Sequence, residues 1–171
     1  MKNKYSFKYK TGLAVMRAQP FHKGHATLIC RMLVECENCV VLLGSMDAPI
    51  SEKNPFTYTE RKEMILSVFP DDMHLAGICD LGNRKLWAGY VLADVWKNFR
   101  LDIDAYYCGC DQDGGLFKSA GLKIVELSRN DIQVSGTAIR RGLRGGDESV
   151  LEHVHHVNRE IIKQKLKKRS K

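Results

Sequence analysis

The chain is 171 residues long, 44% hydrophobic and 27% charged, which excludes disordered and fibrous classes and suits one domain with a substantial core. No apolar run approaches the roughly 20 residues of a membrane helix, and the basic N-terminus lacks a secretory signal's apolar stretch and cleavage site; a single cytoplasmic domain over 1–171, with no membrane partner, is expected. The net charge of +7 lies at the ends, +4 on residues 1–10 and +6 on 159–171, leaving −3 between them, whereas a nucleic-acid binder carries its basic stripe across the fold.

In chain order, the apolar run 12–17 predicts a buried strand. Residues 23–35 follow as a helix, with Ala26, Ile29, Leu33 and Val34 on helical spacing. The continuous aliphatic run 39–44 reads as a parallel strand covered on both faces. A polar loop, 45–55, leads to Thr57-Tyr-Thr-Glu60, a capping box that opens a helix through Val68. Strands are predicted at 74–79, 103–108 and 123–127, with helices at 85–99 and around Lys118. Ser135 to Arg141 reads as the first turns of a helix. Residues 147–166 are expected to close the chain as one helix, with Val150, Val154, Val157 and Ile161 as its apolar stripe.

The alternation βαβαβαβαβ predicts an α/β domain: a doubly wound, five-stranded parallel sheet with helices on both faces and a C-terminal helix. Ligands in such sheets bind beyond the carboxyl ends of the strands, where the strand order reverses. The loops after Arg17, Gly44, Cys79 and Gly109 are therefore the places for chemistry.

Six cysteines include Cys36-x-x-Cys39 and Cys108-x-Cys110. A shared zinc site is disfavoured, because Cys39 is expected at the start of one strand and Cys108 at the end of another, roughly 15 Å apart. Reduced, partly buried thiols and no metal site are expected.

The turn after the first strand reads Arg17-Ala-Gln-Pro-Phe-His-Lys-Gly-His25. Two histidines three apart at a helix N-terminus, with Arg17 and Lys23 beside them and Gly24 permitting close backbone approach, make an anion site. The Walker loop pattern is absent, so the phosphate grip is of another kind. Late in the chain, Val134-Ser-Gly-Thr-Ala-Ile-Arg140 offers a second capped helix start at Ser135, with Arg140 about one and a half turns in. Two such helix starts can embrace one polyphosphate.

R-x-Q-P-F-H-x-G-H, then G-S, then N-P-F-T-x-x-E-R-x-x-M-I, then S-G-T-x-I-R resembles the nucleotidyltransferase superfamily, over Gly12 to about Arg141. Within it the pattern resembles the archaeal-type nicotinamide-mononucleotide adenylyltransferases, a domain also found fused to Nudix hydrolases. No Nudix box follows here. The resemblance implies a Rossmann-like nucleotidyltransferase fold and a reaction in which ATP and nicotinamide mononucleotide give NAD and pyrophosphate, with Mg²⁺. It implies in-line attack by the acceptor phosphate, without a covalent intermediate, so that the protein positions charge and supplies no nucleophile.

By the same resemblance His22 and His25 contact the ATP phosphates, with His25 nearest the α-phosphate. Arg17, Lys53 and Arg140 neutralise the triphosphate, and Ser135 and Thr137 add donors. Gln19 belongs to the ATP side, Gly109 lets adenosine lie against the backbone, and Asp111 reaches the ribose. Asp80, Asn83 and Trp87 hold the nicotinamide nucleotide, with Trp87 as the stacking platform. The resemblance also implies a homo-oligomer. The family usually has G-R-F-Q where this chain has Met16-Arg17-Ala18-Gln19, so a side chain stands where the backbone passes ATP, facing the sheet or narrowing the adenosine pocket. The loop 46–52 departs as well. The alternatives are a relative making dephospho-coenzyme A or joining CMP to an alcohol phosphate, and a nucleotide-sensing or nucleic-acid-binding protein that has lost catalysis.

Overall fold

The computed structural model describes residues 6–109, 114–128 and 134–167. Five strands form one all-parallel sheet: β1 (Tyr9–Met16), β2 (Cys36–Leu43), β3 (His74–Gly77), β4 (Ala105–Cys108) and β5 (Lys123–Glu126), in the order β3-β2-β1-β4-β5. Between and after them run α1 (Lys23–Glu35), α2 (Tyr58–Leu66), α3 (Trp87–Phe99), α4 (Gly114–Ser119), α5 (Gly136–Arg144) and α6 (Arg159–Lys167). This is the doubly wound α/β sheet that the alternation predicted.

Both faces of the sheet are covered, which is why β2 is apolar at consecutive positions. Cys39, Val41 and Leu43 face one layer with Ile29, Met32, Met64 and Ile65; Val40 and Leu42 face the other with Val91, Val95 and Phe117. From β1 the chain winds outward through β2 to β3, then returns to place β4 on β1's other side. The strand order therefore reverses between β1 and β4, and the crevice there opens beyond Met16 and Cys108.

Several boundaries differ from expectation, and those of β2 and β4 have a visible cause. β2 begins at Cys36, directly after α1, because Tyr9 pairs Cys36 at the far end of the β1–β2 ladder. Polar Cys-Glu-Asn carries no strand signal of its own; the neighbouring strand recruits it. Both thiols of Cys36-x-x-Cys39 thus lie within β2. Cys36 donates to the Tyr107 hydroxyl at 3.3 Å, and that hydroxyl donates to Glu35 at 2.7 Å. β4 starts at Ala105, two residues late, because the Asp104 carboxylate takes the Thr11 N–H at 2.8 Å.

The closing helix is not continuous. A 3₁₀ segment, Glu148–His153, gives way to extended backbone at Val154 (φ −107°, ψ 143°) and His155 (φ −61°, ψ 138°), then to a short 3₁₀ turn and α6. The break shifts the phase of everything after it. Val157 is 47% exposed and Ile161 41%, while Asn158, Ile162 and Leu166 are buried instead. The Asn158 amide donates to the Met64 carbonyl at 2.9 Å and accepts from Ser67 at 3.1 Å, satisfying the open end of α2. Among the described residues no helix is long and apolar enough to cross a membrane.

Candidate active site

The β1–α1 turn ends in His22, the N-cap of α1, whose backbone is extended (φ −142°, ψ 171°). Its N–H donates to His25 Nδ1 at 3.3 Å, and the two rings stack with centroids 3.8 Å apart. Since His25 Nδ1 accepts, the proton of the neutral ring sits on Nε2. Burial lowers the His22 pKa to about 4, with the nearby His153 adding to the effect. Burial, and then His22, hold His25 well below the usual histidine range. Both imidazoles are neutral at pH 7, so each offers one N–H and one acceptor. The buried Nδ1 of His22 has no hydrogen-bond partner among the described residues.

The start of α5 lies on this turn. Ser135 caps it, its hydroxyl accepting from the Ala138 N–H at 3.1 Å. Gly136 is required there: a Cβ would stand 2.7 Å from the Gln19 carbonyl oxygen. Arg140 donates to that same carbonyl and, at 3.1 Å, to the Thr137 hydroxyl. Arg17, His22, His25, Thr137 and Arg140 therefore line one small cavity of about 150 Å³.

Lys53 lies beyond this cavity, in an adjoining basic cleft of about 630 Å³ that also takes in Arg17, Arg140, Arg141 and Arg144. Its single carboxylate, Glu52, is held by Arg144. On the other side a cavity of about 230 Å³ runs between β1 and β4, past His25 and Tyr107 to Gly109. Met16 lines that cavity and is also part of the core. Asp111 lies outside the described residues.

The remaining candidates divide. Asp80 and Trp87, with Leu81 and Arg84, line a third pocket of about 260 Å³ at the ends of β2 and β3. Asp80 also accepts from the Ser45 N–H at 3.1 Å and the Ser45 hydroxyl at 2.7 Å. Asn83 is exposed and caps the 3₁₀ turn before α3, accepting from the Lys85 N–H at 3.1 Å. Gln19 is buried, and both ends of its amide bond the backbone of Phe56, at 2.8 and 3.0 Å. It shapes the site by pinning the Asn54-Pro-Phe loop.

Sequence reading assigned no role to Arg61. This guanidinium is 1% exposed and donates to the carbonyls of Arg17 and Gly44, each at 2.8 Å, Ser45 at 3.1 Å and Thr57 at 3.3 Å. Its signal was available: Arg61, Met64, Ile65 and Val68 share one helical face, and a charge on an apolar stripe asks for buried partners. Asn54, which accepts from Arg17, was likewise unassigned.

The site combines two helix starts, two neutral imidazoles and a cluster of guanidinium groups. Such a donor set can grip a polyphosphate, and one pocket flanks it on each side of the β1 end.

The sequence profile of the family described as Cytidylyltransferase-like matches residues 14–142. The nicotinamide-nucleotide adenylyltransferase of Thermococcus sibiricus is 33% identical over 138 residues, 76% of this chain and 71% of that protein. That of Pyrococcus abyssi is 30% identical over 160 residues, covering 85% and 83%. Among solved structures, the bifunctional NMN adenylyltransferase/ADP ribose pyrophosphatase from Francisella tularensis, complexed with AMP and a manganese ion, superposes with a TM-score of 0.68 at 22% identity. It shares the fold over 81% of this chain, and the chain spans 42% of its length.

Proposed function

This chain belongs to the cytidylyltransferase-like family, and we propose that within it the protein is a nicotinamide-nucleotide adenylyltransferase, joining the AMP part of ATP to nicotinamide mononucleotide with release of pyrophosphate. The observation that carries this reading is the meeting of the α1 and α5 starts at Gln19, which gathers Arg17, His22, His25, Thr137 and Arg140 around one cavity.

The triphosphate lies along that cavity and into the basic cleft, with adenosine toward Gly109. The mononucleotide sits in the pocket of Asp80 and Trp87, its phosphate directed at the α-phosphorus. An oxygen of the acceptor phosphate forms the new P–O bond as the bond to the β-phosphate oxygen breaks, and pyrophosphate leaves with its charge. The protein contributes orientation and charge stabilisation. Nε2–H of His25 donates toward the α-phosphate, while Arg17, Lys53 and Arg140 take the charge that builds on the leaving group.

The donor set bears on Mg²⁺. This ion takes oxygen ligands and keeps several waters, usually with one or two carboxylates and substrate phosphates. The cleft's lining carboxylate, Glu52, is engaged by Arg144, and the other donors there are cations and hydroxyls. No residue of that cleft is thus placed to hold Mg²⁺ on its own; the triphosphate oxygens would hold the ion, which when bound would shield phosphate charge. The same family reading carries a homo-oligomer in the cytoplasm.

Pyrophosphate release from ATP, measured with a panel of acceptors, tests the proposal. Release with nicotinamide mononucleotide, and NAD as the product, is expected. Release only with phosphopantetheine or an alcohol phosphate, or with none, overturns it.

A further inference from the structure

The two turns that leave the central strands are both strained. Ala18, two residues after β1, has φ +48°, and Ser45, two residues after β2, has φ +51°. Non-glycine residues in this region are costly and persist only where their surroundings over-determine them. Arg61 is what surrounds them. From within α2 its fork takes the carbonyl of Arg17, next to the first strained residue, and the carbonyls of Gly44 and Ser45 at the second.

Keeping a guanidinium buried among carbonyls is expensive, and among the described residues Arg61 pairs with no carboxylate. What it joins explains its position. Arg17 lines the phosphate cavity, and Ser45 is held in turn by Asp80, which lines the pocket of Trp87. A continuous path, Arg17 to Arg61 to Ser45 to Asp80, ties one half of the site to the other.

We propose that Arg61 is a positioning residue: it locks the two left-handed turns together and so sets the separation of the phosphate cavity and the mononucleotide pocket. The proposal rests on the adenylyl-transfer reading, because separation matters most when two bound substrates must meet in line. A misplacement of about 1 Å costs on the order of 10²-fold in rate. Arg61 lines neither the phosphate cavity nor the Trp87 pocket, so the affinity for each substrate alone is set elsewhere.

Arg61→Lys keeps the charge and loses the planar fork; Arg61→Met keeps the length and loses every donor. Ser45→Gly relieves the strain and frees Asp80 from the hydroxyl, a milder opening of the same joint. Each variant is assayed for NAD formation below its own melting midpoint, beside wild type, with KM for each substrate. The expected result is a kcat about 10²-fold lower for Arg61→Lys, lower again for Arg61→Met and about tenfold lower for Ser45→Gly, with both KM values within about threefold of wild type. If the Arg61 variants do not fold, Ser45→Gly decides alone by the same criterion. Folded variants with wild-type kcat, or with losses confined to KM, overturn the proposal. A silent wild type overturns the adenylyl-transfer reading, and this proposal with it.

Discussion

Gly136 and Gln19 meet closely enough that a single methyl group would part them: the missing Cβ would stand 2.7 Å from the Gln19 carbonyl oxygen. That oxygen is backbone and cannot swing aside, so any side chain at 136 pushes the start of α5 off the β1–α1 turn. Gly136→Ala should lower kcat/KM for ATP by about tenfold or more, since 1.4 kcal/mol is a factor of ten, and leave KM for the mononucleotide nearly unchanged. Full activity toward ATP in that variant would show that α5 does not contribute to the phosphate grip.

His25 should carry a larger share. Its Nε2–H is free to donate because Nδ1 is engaged by the His22 N–H. His25→Ala is expected to reduce turnover by about 10²-fold or more, as loss of a transition-state donor does, with the circular-dichroism spectrum unchanged. Normal turnover would remove His25 from the phosphate site.

Trp87 separates this reading from its relatives. The ring is half-buried, lines the Asp80 pocket and lies 5.9 Å from Tyr90. Stacking of the cationic nicotinamide on an indole contributes roughly 1–2 kcal/mol, so Trp87→Ala should raise KM for the mononucleotide by about tenfold. KM for ATP and the melting midpoint should move little. Equal damage to both substrates with a large loss of stability would mark Trp87 as a core residue.

The pKa of His22 has a thermal consequence. With about 4 in the folded state against 6.5 ordinarily, the folded chain binds fewer protons than the unfolded chain between those values. Stability from the neutral ring is therefore complete above pH 6.5 and is lost as pH falls toward 4, a total of about 3 kcal/mol. The melting midpoint should fall across that window. His22→Asn, which places a good capping residue at the α1 N-cap, should flatten the decline. An equal slope in the variant would assign the effect to other groups.

α1 shows how far local signals reach. Its limits, 23 and 35, are those read from the apolar spacing, because the helix period and its packing face are written in neighbouring residues. The β1–α1 turn was legible for the same reason, since His22, His25 and the α1 start are contiguous. The last helix was not. Val150, Val154, Val157 and Ile161 satisfy the period, yet two extended residues at 154–155 reset its phase, and a polar Asn158 turns inward to complete α2. The Gln19 amide is held at both ends by the Phe56 backbone, a partner outside the local sequence signal, while the residue lines the cavity of His22 and Arg140; the Asn83 amide oxygen caps the turn before α3.

By itself the sequence determined the order of strands and helices, the parallel sheet, the two helix starts and the family to which the chain belongs. These depend on periodicity and on short contiguous motifs. Tertiary structure alone decided what depends on groups far apart in the chain. It placed the Gly136 backbone on Gln19, more than a hundred residues earlier, and sent Arg61 across to the ends of β1 and β2. The physical reason is one of partners. A buried guanidinium or a carbonyl must find a hydrogen bond, but which group supplies it is set only when the sheet brings its strand ends together.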